Sequence, residues 1–143
     1  MSHAYVKNHI HLVFGTKERV SSIWKEIQPE MWSYLAGICR NQGMAAIAIN
    51  GMEDHVHILF HLPPIITLAK AVQILKANSS KWMNEQGRRF AWQEGYGAFS
   101  VSPSNTLEVA KYVRHQEQHH RKMTFAQEYR KLIEKNDCQY AAP

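Results

Sequence analysis

Residues 54–64, DHVHILFHLPP, alternate in the way a β-strand explains. Val56, Ile58 and Phe60 fall on one parity, and His55, His57, Leu59 and His61 on the other. Side chains two apart on a strand share a face, so one row turns toward a core while His55 and His57 stand side by side on the opposite face. Pro63 and Pro64 end the strand. The preceding MAAIAINGMED, residues 44–54, is expected to be its partner. The turn is placed near Asn50 to Asp54, because Asn50-Gly51 is a strong hairpin signal.

Working outward, YVKNHIHLVF at 5–14 alternates as a further strand, with Ile10, Leu12 and Phe14 on one face and His9, His11 and Val13 on the other. Apolar residues at spacings of three and four predict a helix from about Ile23 to Asn41, capped by Ser22 and stopped by Gly43. Pro29 sits awkwardly in its first turns. Thr67 opens a second amphipathic helix, with Leu68, Val72, Leu75 and Trp82 inward and Lys70, Lys76 and Lys81 at the rim. A short strand follows from about Gly97 to Ser102. A third helix starts near Asn105, with Asn105 or Ser104 as its cap, and FAQEYRKLIEK forms the last, docking through Phe125, Tyr129 and Leu132. Strand, helix, strand, strand, helix, strand is the βαββαβ order of a ferredoxin-like sandwich. The expected fold is therefore α+β, an antiparallel sheet with helices on one face, plus C-terminal helices from about residue 105. The other sheet face is expected to be free for a ligand, although this plan serves RNA-binding, metal-binding and catalytic proteins alike.

The chain has 143 residues, the size of one domain, so residues 1–143 are taken as a single unit. No repeat, low-complexity segment or long linker interrupts it. No apolar run is long enough to span a bilayer, and the start, MSHAYVKNHIH, has no signal-peptide core, so a cytoplasmic protein without a membrane partner is expected. Cys39 and Cys138 are the only cysteines, which argues against a disulfide scaffold. A formal charge of +5 favours a polyanionic partner without proving one.

Spacing alone does not decide what His55 and His57 do. Isolated histidines are more often satisfied core or surface residues than ligands, and His9 and His11 copy the same spacing. A third group that makes chemical sense is needed. Tyr112 and Gln116 are four apart on the predicted third helix, hence on one face. Alone they are as readily a half-buried aromatic and a surface amide.

Four segments change the weighing: DHVHILFHLPP, LKANSSKWMN at 75–84, FAWQEGYGAFSVS at 90–102 and YVRHQEQHHRKMTFAQEYRKL at 112–132. In order and register they resemble the IS200/IS605-like single-tyrosine transposases, members of the HUH endonucleases, where U is a hydrophobic residue. HLVFGTKER at 11–19 is similar to that family's first strand. The resemblance implies that His55 and His57 are the HUH metal pair, Tyr112 the nucleophile and Gln116 a third metal ligand. His115 departs from the family, which often has Asn there. The implied reaction nicks and rejoins single-stranded DNA at hairpin ends through a 5′-phosphotyrosine, with Mg2+ or Mn2+ as the working ion. It also implies a homodimer in which the tyrosine helix of one protomer reaches the histidines of the other.

The chemistry agrees with that implication. A phenol with an ordinary pKa of about 10 needs help to attack phosphorus, and a divalent cation on two imidazoles and an amide keeps positions open for phosphate. A closed zinc site is not expected, since no cysteine or carboxylate lies at a recognisable spacing from the pair. Phosphate contacts are expected from Lys76, Ser79, Ser80, Lys81 and Arg114, although lysines on a polar helix face are often merely solvated. Trp92, Tyr96 and Phe99 are candidate base-stacking residues or, equally, packing residues. Two other readings stay open: a non-catalytic ferredoxin-like nucleic-acid-binding protein or domesticated transposase, and a small metallohydrolase using His55 and His57 without Tyr112.

Overall fold

The computed structural model describes residues 4–136; Cys138, considered above, lies outside them. Four antiparallel strands form one sheet in the order β2-β3-β1-β4: β1 His9–Gly15, β2 Ala45–Met52, β3 His55–His61 and β4 Gly97–Val101. This is the ferredoxin-like arrangement. Helices α1 Gln28–Asn41 and α2 Leu68–Glu85 cover one face. Between them and the sheet lie Leu12, Phe14, Val56, Ile58, Phe60, Met31, Leu35 and Leu75, all fully buried. Each such side chain contributes roughly 1.5–3 kcal/mol through burial.

The opposite face is not free as expected. Helices α3 Thr106–Arg114, α4 Gln116–His119 and α5 Phe125–Lys135 fold back across it. Ala110 and Val113 of α3 pack on Leu59 and Ala48, while Phe125 and Leu132 of α5 pack on Val13 and Phe99. The apolar residues among the histidines on that face are what these helices cover.

Three local expectations shift. α1 begins at Gln28, not Ile23, with Pro29 in its first turn, where the missing N–H costs nothing. Ser22 caps no helix, and Ile23 reaches the core from the preceding loop, fully buried. The hairpin turn is Glu53-Asp54, and Gly51 lies inside β2 opposite Val56. A Cβ at Gly51 would strike the His55 carbonyl oxygen and come within 2.9 Å of Val56 Cα, so this glycine serves a close approach rather than a turn. Finally, α3 breaks at His115, whose N–H donates to the Tyr112 carbonyl three residues back, and α4 starts afresh at Gln116.

Candidate active site

β3 pairs along its length with β1 and β2, which locks its parity. His55 and His57 therefore project together onto the α3–α5 face, and both are fully buried. The look-alike pair on β1 is separated by register. His11 lies opposite Leu59, and His9 lies opposite His61 at the far end. His11 nevertheless reaches the site, its Nε2 2.8 Å from His57 Nδ1.

Glu128 of α5, a residue no sequence motif above includes as a site residue, stands at the centre. Its Oε1 lies 3.3 Å from His55 Nε2, 3.1 Å from His57 Nε2 and 2.9 Å from His120 Nε2. Its Oε2 accepts a short hydrogen bond from the Tyr112 hydroxyl and another, at 3.3 Å, from Gln116 Nε2. Gln116 Oε1 is 2.9 Å from His55 Nε2. The expected quartet of His55, His57, Tyr112 and Gln116 is thus brought together within one chain, around a carboxylate that the primary-sequence spacing hid. A signal existed: Phe125, Glu128 and Leu132 share one face of α5, and an acid on a buried helical face asks for partners.

The surroundings orient each group. His55 Nδ1 is 2.8 Å from Asp54 Oδ1, and Phe125 stacks on the His55 ring at 4.1 Å between centroids. Such outer partners hold a ring with its other nitrogen aimed inward. Tyr112 stacks on His119 at 4.4 Å. Beside Tyr112 a cleft of about 480 Å³ opens, lined among others by His11, Phe99, Ser102, Lys131 and Lys135.

Burial would push His55 down, but hydrogen bonds to Asp54, Glu128 and Gln116 and the Glu128 charge reverse this and raise it to about 9. Burial dominates at the other two, taking His57 to about 4 and His11 to about 3. Glu128 would rise through burial, yet hydrogen bonds from His120, His55 and His57 hold it well below the carboxylate range. Burial and the Glu128 carboxylate together raise the Tyr112 phenol above its ordinary value. The carboxylate is therefore anionic and the Tyr112 phenol protonated.

The donors fit a divalent cation. Ring nitrogens and an amide oxygen aimed at one another and at a carboxylate oxygen require protons or a cation between them, and His55, His57 and Glu128 offer ligand atoms within 4.8 Å of one another. The carboxylate thought to be missing from the pair is present, supplied from seventy residues downstream.

The expected DNA contacts fare unevenly. Lys76 is half-buried, and its Nζ donates to the carbonyls of Gln93, Glu94 and Gly95 at 2.7, 3.1 and 2.9 Å; burial lowers its pKa, against the pull of Glu94. Ser79 is buried, donating to the Leu75 carbonyl and accepting from Trp92 Nε1, and Ser80 donates to the Phe90 carbonyl. Lys76, Ser79 and Ser80 thus staple the 90–95 segment to α2 instead of facing solvent. That segment matters to the site, because Gln93 Oε1 accepts from the Gly15 N–H, and Gly15 lies opposite His55. Trp92 and Phe99 are packing residues. Lys81 and Arg114 are exposed, and the Arg114 carbonyl accepts from Asn50 Nδ2.

Comparison with known proteins gives a consistent result. The family model "Transposase IS200 like" matches residues 4–116. The IS200 insertion-sequence transposase of Salmonella typhimurium LT2 is 28% identical over 115 residues, covering 74% of each chain. The ISDra2 transposase TnpA of Deinococcus radiodurans is 25% identical over 114 residues, covering 74% of this chain and 81% of the relative. Among solved structures, a candidate transposase of Deinococcus radiodurans R1 superposes with a TM-score of 0.62 at 22% identity, over 81% of this chain and 96% of the other. A REP-associated tyrosine transposase bound to a REP hairpin superposes at 0.59 and 14%, over 79% and 68%. The family match includes His55, His57, Tyr112 and Gln116 and stops before His120 and Glu128.

Proposed function

Because this chain belongs to the IS200-like transposase family, we propose that it cuts and rejoins single-stranded DNA with Tyr112 as the nucleophile. One observation carries the reading: the Tyr112 hydroxyl and the His55/His57 pair meet on the two oxygens of a single buried carboxylate. The metal ligands in this reading are His55, His57 and Gln116, with the Glu128 carboxylate beside them. A divalent cation there, Mg2+ or Mn2+, supplies charge neutralisation at the scissile phosphate.

The chain's own residues do the rest. Tyr112 Oη attacks phosphorus, the bond from phosphorus to the 3′ oxygen breaks, and the 5′ phosphate is left on the tyrosine with a free 3′-hydroxyl on the other fragment. The phosphoester bond is conserved, so attack by a 3′-hydroxyl rejoins DNA and frees the tyrosine without ATP. Glu128 Oε2 already accepts from the phenol and is positioned to take its proton. The hydroxyl is held by Glu128 and the ring by His119, which fixes the attacking oxygen. The cleft beside Tyr112, with Lys131 and Lys135 among its lining residues, gives the strand its approach.

The partner proposed is hairpin-forming single-stranded DNA, in keeping with the REP hairpin held by the structural neighbour. The chain is taken whole, residues 1–143, as one transposase unit that assembles as a homodimer in the cytoplasm. No helix among the described residues is long and apolar enough to cross a membrane. Within the chain the Tyr112 and His57 ring centroids are 5.9 Å apart, which supports a tyrosine that serves its own protomer's histidines rather than the partner's.

The test is an SDS-stable adduct on single-stranded hairpin oligonucleotides with Mn2+. Wild type should form it, and Tyr112→Phe should lose it entirely while keeping its circular dichroism and hairpin affinity. An adduct that survives the substitution sinks the assignment.

A further inference from the structure

His120 is left without a task by the reaction above, yet it is built like a ligand. Its Nε2 is the nearest of the three imidazole nitrogens to Glu128 Oε1, at 2.9 Å against 3.1 Å for His57 and 3.3 Å for His55. Its Nδ1 donates to the Met123 carbonyl at 2.9 Å, which puts the proton on the outer nitrogen and turns Nε2 inward. That division of labour, one ring nitrogen on a backbone carbonyl and the other aimed at a shared point, is how proteins fix the tautomer of a metal-bound histidine. The side chain is 8% exposed, and its ring centroid lies 4.6 Å from that of His55. Without a cation Nε2 faces the Glu128 carboxylate, the same oxygen that His55 and His57 face.

We propose that His120 is a third imidazole ligand of the divalent cation held by His55 and His57. The inference rests on the metal reading given above and deepens it. All three ring nitrogens lie within 3.3 Å of Glu128 Oε1. The ligand atoms already within 4.8 Å of one another are those of His55, His57 and Glu128, so His120 Nε2 joins them by closing in as the carboxylate makes way for the cation. Such a nitrogen-rich set favours Mn2+ or a later transition metal over Mg2+, whose preference is for oxygen and water.

The test uses the whole chain and the metal alone, without DNA. Mn2+ affinity by calorimetry and the number of coupled ring nitrogens by pulsed electron paramagnetic resonance are measured for wild type, His57→Phe and His120→Phe. Three nitrogens in wild type, two in His120→Phe and a 10- to 100-fold weaker affinity in that variant are expected, with Mn2+ bound more tightly than Mg2+. Loss of affinity in His57→Phe with wild-type affinity and nitrogen count in His120→Phe overturns the third ligand and leaves the pair standing. A wild-type chain that binds no Mn2+ overturns the metal reading and this inference together. A second measurement needs no variant. On adding Zn2+ as a diamagnetic probe, the Nε2 resonances of His55, His57 and His120 should shift together in two-dimensional 1H–15N spectra, and an unmoved His120 Nε2 overturns the proposal.

Discussion

His55 and His57 ride on a strand hydrogen-bonded on both sides, with Val56, Ile58 and Phe60 sunk in the main core behind them. Gln116, His120 and Glu128 hang instead from a four-residue helix, the turn after it, and a final helix whose buried apolar anchors are Phe125 and Leu132. The two halves face each other across a carboxylate. One is rigid because moving it would break the sheet; the other is held by a few side chains and by the site itself. The contrast teaches that the histidine pair is preorganised, whereas the groups that complete it belong to the part of the molecule best able to adjust.

The strongest blow to the contrast is Phe125→Ala. Removing that buried ring, which also stacks on His55, should cost about 3–5 kcal/mol. Hydrogen exchange should accelerate throughout α5 while β3 stays protected; equal acceleration in both would show that the halves form one cooperative unit. Gly51→Ala strikes the rigid half. Its methyl group has no room beside the His55 carbonyl, so a loss of about 2 kcal/mol, or about 6–8 °C in Tm, is expected with β3 affected first. An unchanged Tm would mean that the hairpin yields more easily than its pairing suggests.

Acid and alkali should separate the groups more gently. His57 and His11, lowered to about 4 and about 3 from 6.5, resist protonation in the fold, so their contribution is intact above about pH 6.5 and is lost as pH falls toward 4. His55, raised to about 9, acts in the opposite sense: its contribution is complete below about 6.5 and is lost as pH rises through 9. Metal-free protein should therefore show a thermal optimum near pH 6.5, and a flat profile from pH 4 to 9 would mean the cluster is not assembled without metal. The smallest effect is expected from Lys76→Met. Its ammonium serves three carbonyls, so the variant should lose about 1 kcal/mol of stability and leave the salt dependence of DNA binding unchanged. A phosphate contact would instead lower the salt slope by about 1.

The same contrast explains what could be seen in the sequence. Period-two alternation exposes β3 and its two faces, because a strand has only two sides and a buried face leaves no freedom of register. Pro29 was visible too, but its place in a first turn rather than mid-helix depends on Ile23 and Ile27 filling the core from outside α1. Gly51 reads as a turn residue in the sequence, since a glycine needed for space looks the same as one needed for its backbone freedom. Glu128 went unseen for a different reason. The strand histidines it meets, His57 and His55, lie 71 and 73 residues upstream, and no local period links them to it. The helix break at His115 likewise has no strong breaker to announce it. The resemblance found Tyr112 and Gln116, but the path of the chain beyond them had to come from the structure.

Glu128 has one further consequence, for anyone altering this protein. Its two oxygens answer to different groups, imidazoles on one side and phenol and amide on the other. Substitutions at the histidines and at Tyr112 should therefore be non-additive, although neither side chain hydrogen-bonds the other, because each changes what the shared carboxylate can do for its opposite partner. The mutational landscape of the site is epistatic by construction, and variants chosen one position at a time will misjudge their combinations.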